Sequence, residues 1–157
     1  MKNNSQENFW KGNFGNSYIK RNKSKKKIID NIYFFKKALL KANTINSVCE
    51  LGSNIGLNIL ALKEIYKKKL KKILSVEINK KASKIQKDKI KNISVLNESI
   101  NSFDVKDKFD LVLCKGILIH INPKDLKKTY KKINQLSKKY ILIAEYFSPN
   151  PVKINYR

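Results

Sequence analysis

The stretch Val48-Cys49-Glu50-Leu51-Gly52-Ser53-Asn54-Ile55-Gly56 constrains this chain more than any other. An apolar run meets two closely spaced glycines and passes straight into Leu57, Leu60, Ala61 and Ile65, which recur at helical spacing. The segment predicts a buried strand, a tight turn and a helix reaching about Tyr66. The next apolar run, Ile73-Leu74-Ser75-Val76, ends on an acid, Glu77. Strand, glycine turn, helix, strand and acid in that order is the layout of a nucleoside-binding α/β unit.

Each residue type has a physical reason. Gly52 has no Cβ, so the backbone can turn sharply and approach a ligand. Gly56 lets the following helix pack near the sheet. The start of that helix offers unpaired N–H groups and a positive dipole end. Glu77, at the carboxyl end of the second strand, suits both hydroxyls of a ribose. Glu50, just before the turn, can orient loop amides or face a cationic ligand. The spacing departs from the dinucleotide fingerprint, with Asn54 where a middle glycine often stands. Asparagine tolerates left-handed backbone better than most residues, so the turn is expected to survive.

The rest of the chain extends the pattern. Phe9-Trp10-Lys11-Gly12-Asn13-Phe14-Gly15-Asn16-Ser17-Tyr18 is too apolar for a solvated tail and too irregular for a long helix. A basic run, Lys23 to Lys27, precedes Ile28, Ile32, Phe35 and Leu39, an amphipathic helix to about Lys41. Asn79 is placed to cap a helix to about Lys89. Ile93-Ser94-Val95-Leu96 and Phe109-Asp110-Leu111-Val112-Leu113-Cys114 read as strands three and four. Asn122-Pro123 opens a helix to about Ser137, with a cap residue and then proline at the first helical position. Tyr140 to Tyr146 reads as strand five, closed by the turn residues Ser148-Pro149-Asn150-Pro151. Alternating strands and helices imply an α/β fold, Rossmann-like, with a mostly parallel sheet and helices on both faces. The expected organisation is a single domain over 1–157, with an N-terminal aromatic segment and helix (1–42) and a core (43–157). Ligands on such sheets bind at the carboxyl ends of the strands. That edge gathers Gly52, Glu77, Asn97 to Ser99, Lys115-Gly116 and Tyr146-Phe147.

A formal charge of +23 ordinarily suggests a polyanion partner. Here the charge is almost all lysine, with arginine only at Arg21 and Arg157, and it is spread over many helix faces. Specific nucleic-acid readers favour arginine forks and stacking aromatics. Nonspecific polyanion binding at low salt is therefore the expectation, with the runs Lys67-Lys68-Lys69 and Lys71-Lys72 solvated. No run is long and apolar enough for membrane insertion. The first residues lack the apolar core of a signal peptide, so the expected location is cytoplasmic. Cys49 and Cys114 lie in apolar runs without a metal-ligand cluster and read as buried small hydrophobes.

With these residues placed, the chain resembles class I S-adenosylmethionine-dependent methyltransferases, most nearly the pseudaminic acid biosynthesis-associated methylases. Four pieces carry the resemblance: Phe9 to Asn22, Glu50 to Asn58, Cys114 to Pro123, and Ile143 to Val152. The resemblance implies S-adenosylmethionine as cofactor, with Gly52, Ser53, Asn54 and Gly56 around its methionine part and Glu77 on its ribose. It implies Glu98 and Ser99 beside the adenine, and Lys115 to His120 along the methyl-transfer site. Tyr18 and Arg21 would lie over the cofactor, Arg21 as partner of its carboxylate. Arginine is the better fork for a carboxylate, and this chain hardly uses it elsewhere.

Members of the superfamily end the sheet with strands six and seven, the last antiparallel. This chain stops at Asn155-Tyr156-Arg157, so strands six and seven are expected to be missing and strand five to be an edge. The resemblance implies transfer of a methyl group to a small molecule or sugar in surface-glycan biosynthesis of the pseudaminic acid type. An RNA or protein methyltransferase, or a truncated non-catalytic cofactor-binding protein, are the alternatives. His120, the sole histidine, is the candidate base, against a histidine that merely packs near a helix start. Glu145 and Tyr146 either touch the acceptor or, as is more usual for an acid at a strand end, serve as local hydrogen-bond partners. Trp10, Phe14 and Tyr18 either form a lid or seal the core.

Overall fold

A computed structural model of the chain describes residues 5–22 and 24–150. Lys23 of the basic run, Pro151 and Val152 of the fourth motif, and the terminal Asn155, Tyr156 and Arg157 lie outside the described residues.

Five parallel strands form the sheet: β1 (Ser47–Leu51), β2 (Lys72–Val76), β3 (Ser94–Leu96), β4 (Phe109–Lys115) and β5 (Ser137–Ala144). Their spatial order is β3-β2-β1-β4-β5. The order reverses between β1 and β4, so the crevice above that junction is where a ligand has room. Register is tight along β1, with Cys49 opposite Leu74 on one side and Val112 on the other.

Side-chain alternation splits the core in two. Cys49, Leu51, Leu74, Val76, Val112 and Cys114 point to one face, under α6 (Pro123–Leu136). Val48, Ile73, Leu111 and Leu113 point to the other, under α3 (Lys25–Ala38) and α4 (Leu57–Tyr66). Within α4 the fully buried positions are Ile59, Ala61 and Leu62. Of the expected core stripe, Ala61 is buried, while Leu57, Leu60 and Ile65 are only partly buried, Leu60 and Ile65 at the margin of the core that holds Phe35, and Leu57 against Ile19 and Ile55. Asn79 accepts from the Ala82 amide as the cap of α5 (Lys80–Lys89), and Asn122 accepts from Lys124 as the cap of α6. Both cysteines are free and buried, and burial pushes both thiols up.

β5 begins three residues before its expected start, directly at the end of α6, and among the described residues pairs only with β4. Ile141 and Ile143 on it are 41% and 45% exposed. Among the described residues no helix is long and apolar enough to cross a membrane. The aromatic N-terminal segment folds as two short helices, α1 (Ser5–Lys11) and α2 (Asn13–Arg21), parted at Gly12. Helices this short are marginal alone and hold through packing. Here Ile19 buries against Ile55 and Ala82, which sets the pair over the carboxyl edge of the sheet.

Candidate functional site

A cavity of about 430 Å³ opens at that edge. The loops after β1, β2, β3 and β4 form its floor, α1 and α2 its roof, and the first turns of α3 one side.

The turn after β1 is built as its glycines require. Gly52 has φ +71, and Asn54 φ +50, the left-handed conformation expected of it. A Cβ on Gly52 would stand 2.4 Å from Ile117 Cδ1. Gly56 has φ +79 and is the N-cap of α4. Its missing side chain makes room for Ile90 Cδ1 at 2.5 Å and for Gln86, so the close approach it serves is to α5 rather than to the sheet. Beneath the turn, Ser53, Ser75 and Gln86 form a buried polar cluster. Gln86 Nε2 donates to Ser53 Oγ at 2.9 Å and to the Asn54 carbonyl at 2.5 Å, and Ser75 Oγ donates to Gln86 Oε1 at 2.7 Å. Buried groups satisfied in this way fix the turn in place.

Glu77 follows β2. Its Oε2 accepts from the Asn54 amide at 2.6 Å and its Oε1 from the Asn79 amide at 2.7 Å. Burial raises its pKa, against the opposing pull of the backbone donors. Each carboxylate oxygen keeps a second lone pair, and the side chain lines the cavity. Glu50 is buried under the floor, with Oε1 accepting from Asn58 Nδ2 at 2.6 Å and Oε2 without a partner among the described residues. Burial pushes its pKa up to about 8, against the pull of Asn58 and of the Lys115 charge.

The roof is aromatic. The Trp10 ring lies 5.3 Å from Tyr18, 5.2 Å from Phe14 and 4.6 Å from His120. His120 is half-buried. Burial lowers its pKa, while the Glu145 carboxylate works to raise it. Glu145 Oε1 accepts from the amides of Ile117 and Leu118 at 2.8 and 2.9 Å and so pins the turn that carries His120. Asn79 Nδ2 ties the roof to the floor by donating to the Trp10 carbonyl and to Asn16 Oδ1.

Tyr18, Gly52, Ser53, Asn54, Glu77, Ser99, Lys115 and His120, all singled out from sequence, line this one cavity. Glu50 and Gly56 support the floor without lining it. Arg21 and Glu98 are not in the wall. Arg21 sits at the exposed end of α2, its guanidinium carbon 5.9 Å from the Phe14 ring centroid. Glu98 faces solvent, where its charge acts on Lys132, because the chain turns Ser99 inward. Besides Lys115, the wall carries the cation of Lys27 of α3, whose Nζ donates to the Arg21 carbonyl at 2.8 Å and to Asn22 Oδ1 at 2.7 Å. Sequence reasoning missed Glu7, Lys27, Asn58, Asn79 and Asn101 as wall residues. Only Asn79 carried a local signal, its capping position.

Residues 48–139 match the model of a protein family described as "Methyltransferase domain". No curated protein matches the sequence. The fold is similar to that of the sugar N-methyltransferase KedS8 from Streptoalloteichus sp ATCC 53650, with TM-score 0.67 and 15% identity over 88% of this chain and 55% of that one. It is also similar to the plantazolicin methyltransferase BamL in complex with a triazolic desmethylPZN analog and SAH (TM-score 0.69, 16% identity, 88% of this chain and 54% of that one). Coclaurine N-methyltransferase bound to N-methylheliamine and SAH gives TM-score 0.60 and 17% identity over 71% of this chain and 33% of that one. The chain thus spans about half the length of the first two and a third of the last. At these identities the likeness is one of fold. The family model covers well over half of the sequence, including the strand, turn and helix that build the cavity floor, and on that match the chain belongs to the methyltransferase-domain family.

Proposed function

We propose that this chain binds S-adenosylmethionine in the cavity and transfers its methyl group to a small molecule or sugar in surface-glycan biosynthesis of the pseudaminic acid type. One observation carries the reading: a left-handed glycine turn and a buried acid after the next strand open onto the same roofed cavity. The residues fit the cofactor. The size is that of a small-ligand site. A Cβ at Gly116, also left-handed, would meet nothing within 4 Å, so the backbone there leaves open space. Glu77 offers acceptors to a diol, and Ile78 and Ile100 offer apolar walls to a base.

When bound, the cofactor supplies a methyl group on a positively charged sulfur. The chain positions and excludes water. Trp10 and Tyr18 roof the cavity, and Glu145 fixes the turn before α6. His120, whose pKa burial lowers from its ordinary 6.5, is able to take a proton from an acceptor hydroxyl or amine. A sugar N-methyltransferase and a coclaurine N-methyltransferase among the similar structures support a small-molecule acceptor.

The charge of +23 favours a second reading, methylation of RNA or protein. A measured RNA affinity that collapsed with salt and showed no site selectivity would overturn that second reading. The test of the main reading is calorimetric titration of S-adenosylmethionine into wild type, Glu77→Ala and Gly52→Val. Micromolar binding, lost in both variants, is expected; no binding to folded wild type overturns it. Binding without turnover on any acceptor identifies a non-catalytic cofactor-binding protein.

A further inference from the structure

The cavity occupies the carboxyl edge of the sheet. The opposite edge, at the amino ends of the strands, is built of lysine-bearing loops. Each strand has an exposed lysine at its start or in the loop before it: Lys41 before β1, the run Lys67-Lys68-Lys69 before β2, Lys91 before β3, Lys108 before β4 and Lys138 in β5. Hydrogen bonds join these loops into one surface. The Asn46 carbonyl accepts from the amides of Lys71 and Lys72 at 2.8 and 3.1 Å. The Asn43 amide donates to Tyr140 Oη at 2.9 Å, and Lys63 Nζ donates to the Lys91 carbonyl at 2.8 Å. Among the described residues two ion pairs lie here, Lys72 with Asp107 at 2.8 Å and Lys139 with Asp110 at 3.2 Å, and neither engages the lysines just named. Just past the end of α3, Leu40 stands 80% exposed beside Lys41.

We infer that this edge docks on the surface of an anionic lipid bilayer, with the lysines against the headgroups and Leu40 at the acyl boundary. Basic residues near a membrane are drawn to anionic headgroups over a Debye length, and an aliphatic side chain among them gains by entering the apolar layer. Nucleic acid, the other polyanion, rewards arginine forks and stacking aromatics. The one described arginine, Arg21, lies on α2 at the cavity edge. The exposed aromatics stand elsewhere, Tyr33 and Tyr130 on helices, Tyr146 and Phe147 past the carboxyl end of β5. A chain docked in this way lies on the bilayer without spanning it and keeps its cavity turned away from the lipid. Lysines near helix C-termini also complement the helix dipole, a role that needs neither Leu40 nor a lipid. The inference is independent of the cofactor reading.

The test is co-sedimentation of the chain with vesicles of phosphatidylcholine alone and of phosphatidylcholine mixed with phosphatidylserine, at physiological ionic strength. Wild type is compared with Leu40→Ser and with the triple variant Lys68→Glu, Lys69→Glu, Lys91→Glu. A charge-matched triple, Lys80→Glu, Lys81→Glu, Lys124→Glu, changes exposed lysines at helix starts on the cavity edge. Thermal unfolding is the fold control. Wild type is expected to bind the mixed vesicles at least about tenfold more tightly than the neutral ones. The amino-edge triple is expected to lose about tenfold or more on the mixed vesicles, and the cavity-edge triple about twofold or less. Leu40→Ser is expected to lose about three- to tenfold on the mixed vesicles and nothing on a single-stranded oligoribonucleotide. Leu40→Ser and the amino-edge triple probe the surface separately, so either decides the matter if the other does not fold. Equal losses in the two triples, no preference for the mixed vesicles, or wild-type binding by Leu40→Ser overturns the proposal. Tighter binding of the oligoribonucleotide than of the mixed vesicles, lost in the amino-edge triple, also overturns it and assigns the edge to nucleic acid.

Discussion

The side-chain amide of Asn79 donates to the Trp10 carbonyl at 3.0 Å, across the gap between the floor of the cavity and its roof. The same side chain caps α5 through Oδ1, and Gly15 packs so closely that a Cβ there would stand 2.7 Å from Asn79 Nδ2. One residue thus couples a helix start to the placement of α1 and α2. Asn79→Asp is expected to keep the cap but to turn a carboxylate oxygen toward the Trp10 carbonyl in place of the donor, weakening cofactor binding and loosening the roof at some cost in stability. Asn79→Ala is expected to lose both, costing about 1 kcal/mol of stability as well. Thermal unfolding and calorimetry separate the two effects. Trp10, the sole tryptophan, reports roof closure by its fluorescence.

Gly52 is constrained twice, by its positive φ and by Ile117. Gly52→Ala is expected to destabilise by about 1–3 kcal/mol and to abolish binding. Trimming the obstacle with Ile117→Ala in the same chain is expected to recover part of the stability, since the steric clash is relieved while the backbone strain stays. Denaturant titration of the single and double variants measures the coupling.

Glu50 makes stability depend on pH. Its folded pKa of about 8 exceeds the ordinary 4.5 because burial penalises the charged form. Between those values the folded chain holds a proton that the unfolded chain has released, so stability falls as pH rises. The contribution is complete below pH 4.5 and gone above 8. Glu50→Gln mimics the neutral form and still accepts from Asn58. Its stability is expected to match wild type at pH 4.5 and to exceed it by about 2–4 kcal/mol above pH 8. Urea unfolding of both proteins across that range checks the slope.

His120 is expected to set the acid limb of the pH–rate profile. Burial lowers its pKa from the ordinary 6.5, so the neutral ring persists below that pH and the limb falls on the acid side of it. His120→Asn is expected to flatten the limb and cut kcat by about 10²- to 10⁴-fold. An unchanged profile assigns His120 to packing against Trp10 instead.

The strands of the sheet were readable because each is a short apolar run between breakers. The caps Asn79 and Asn122 were readable because capping is a local affair of three residues. The turn was readable at Gly52, Asn54 and Gly56, where left-handed backbone excludes most side chains. Arg21 and Glu98 misled for one reason: residue type and proximity to a motif do not say which way a side chain turns. Arg21 ends an exposed helix, and Glu98 precedes the inward-facing Ser99.

By itself the sequence determined the α/β alternation, the glycine turn and the acid after the second strand, because these follow from periodicity, backbone sterics and spacing along a continuous chain. Only the tertiary structure decided what covers them. The contacts of Glu7 with Ser99 and of Asn79 with Trp10 join residues far apart in the chain. Such pairs form only after α1 and α2 have docked on the sheet edge, and no local pattern records where a short helix will dock. The fold of the floor is therefore written in local preferences, and the shape of the cavity in long-range packing.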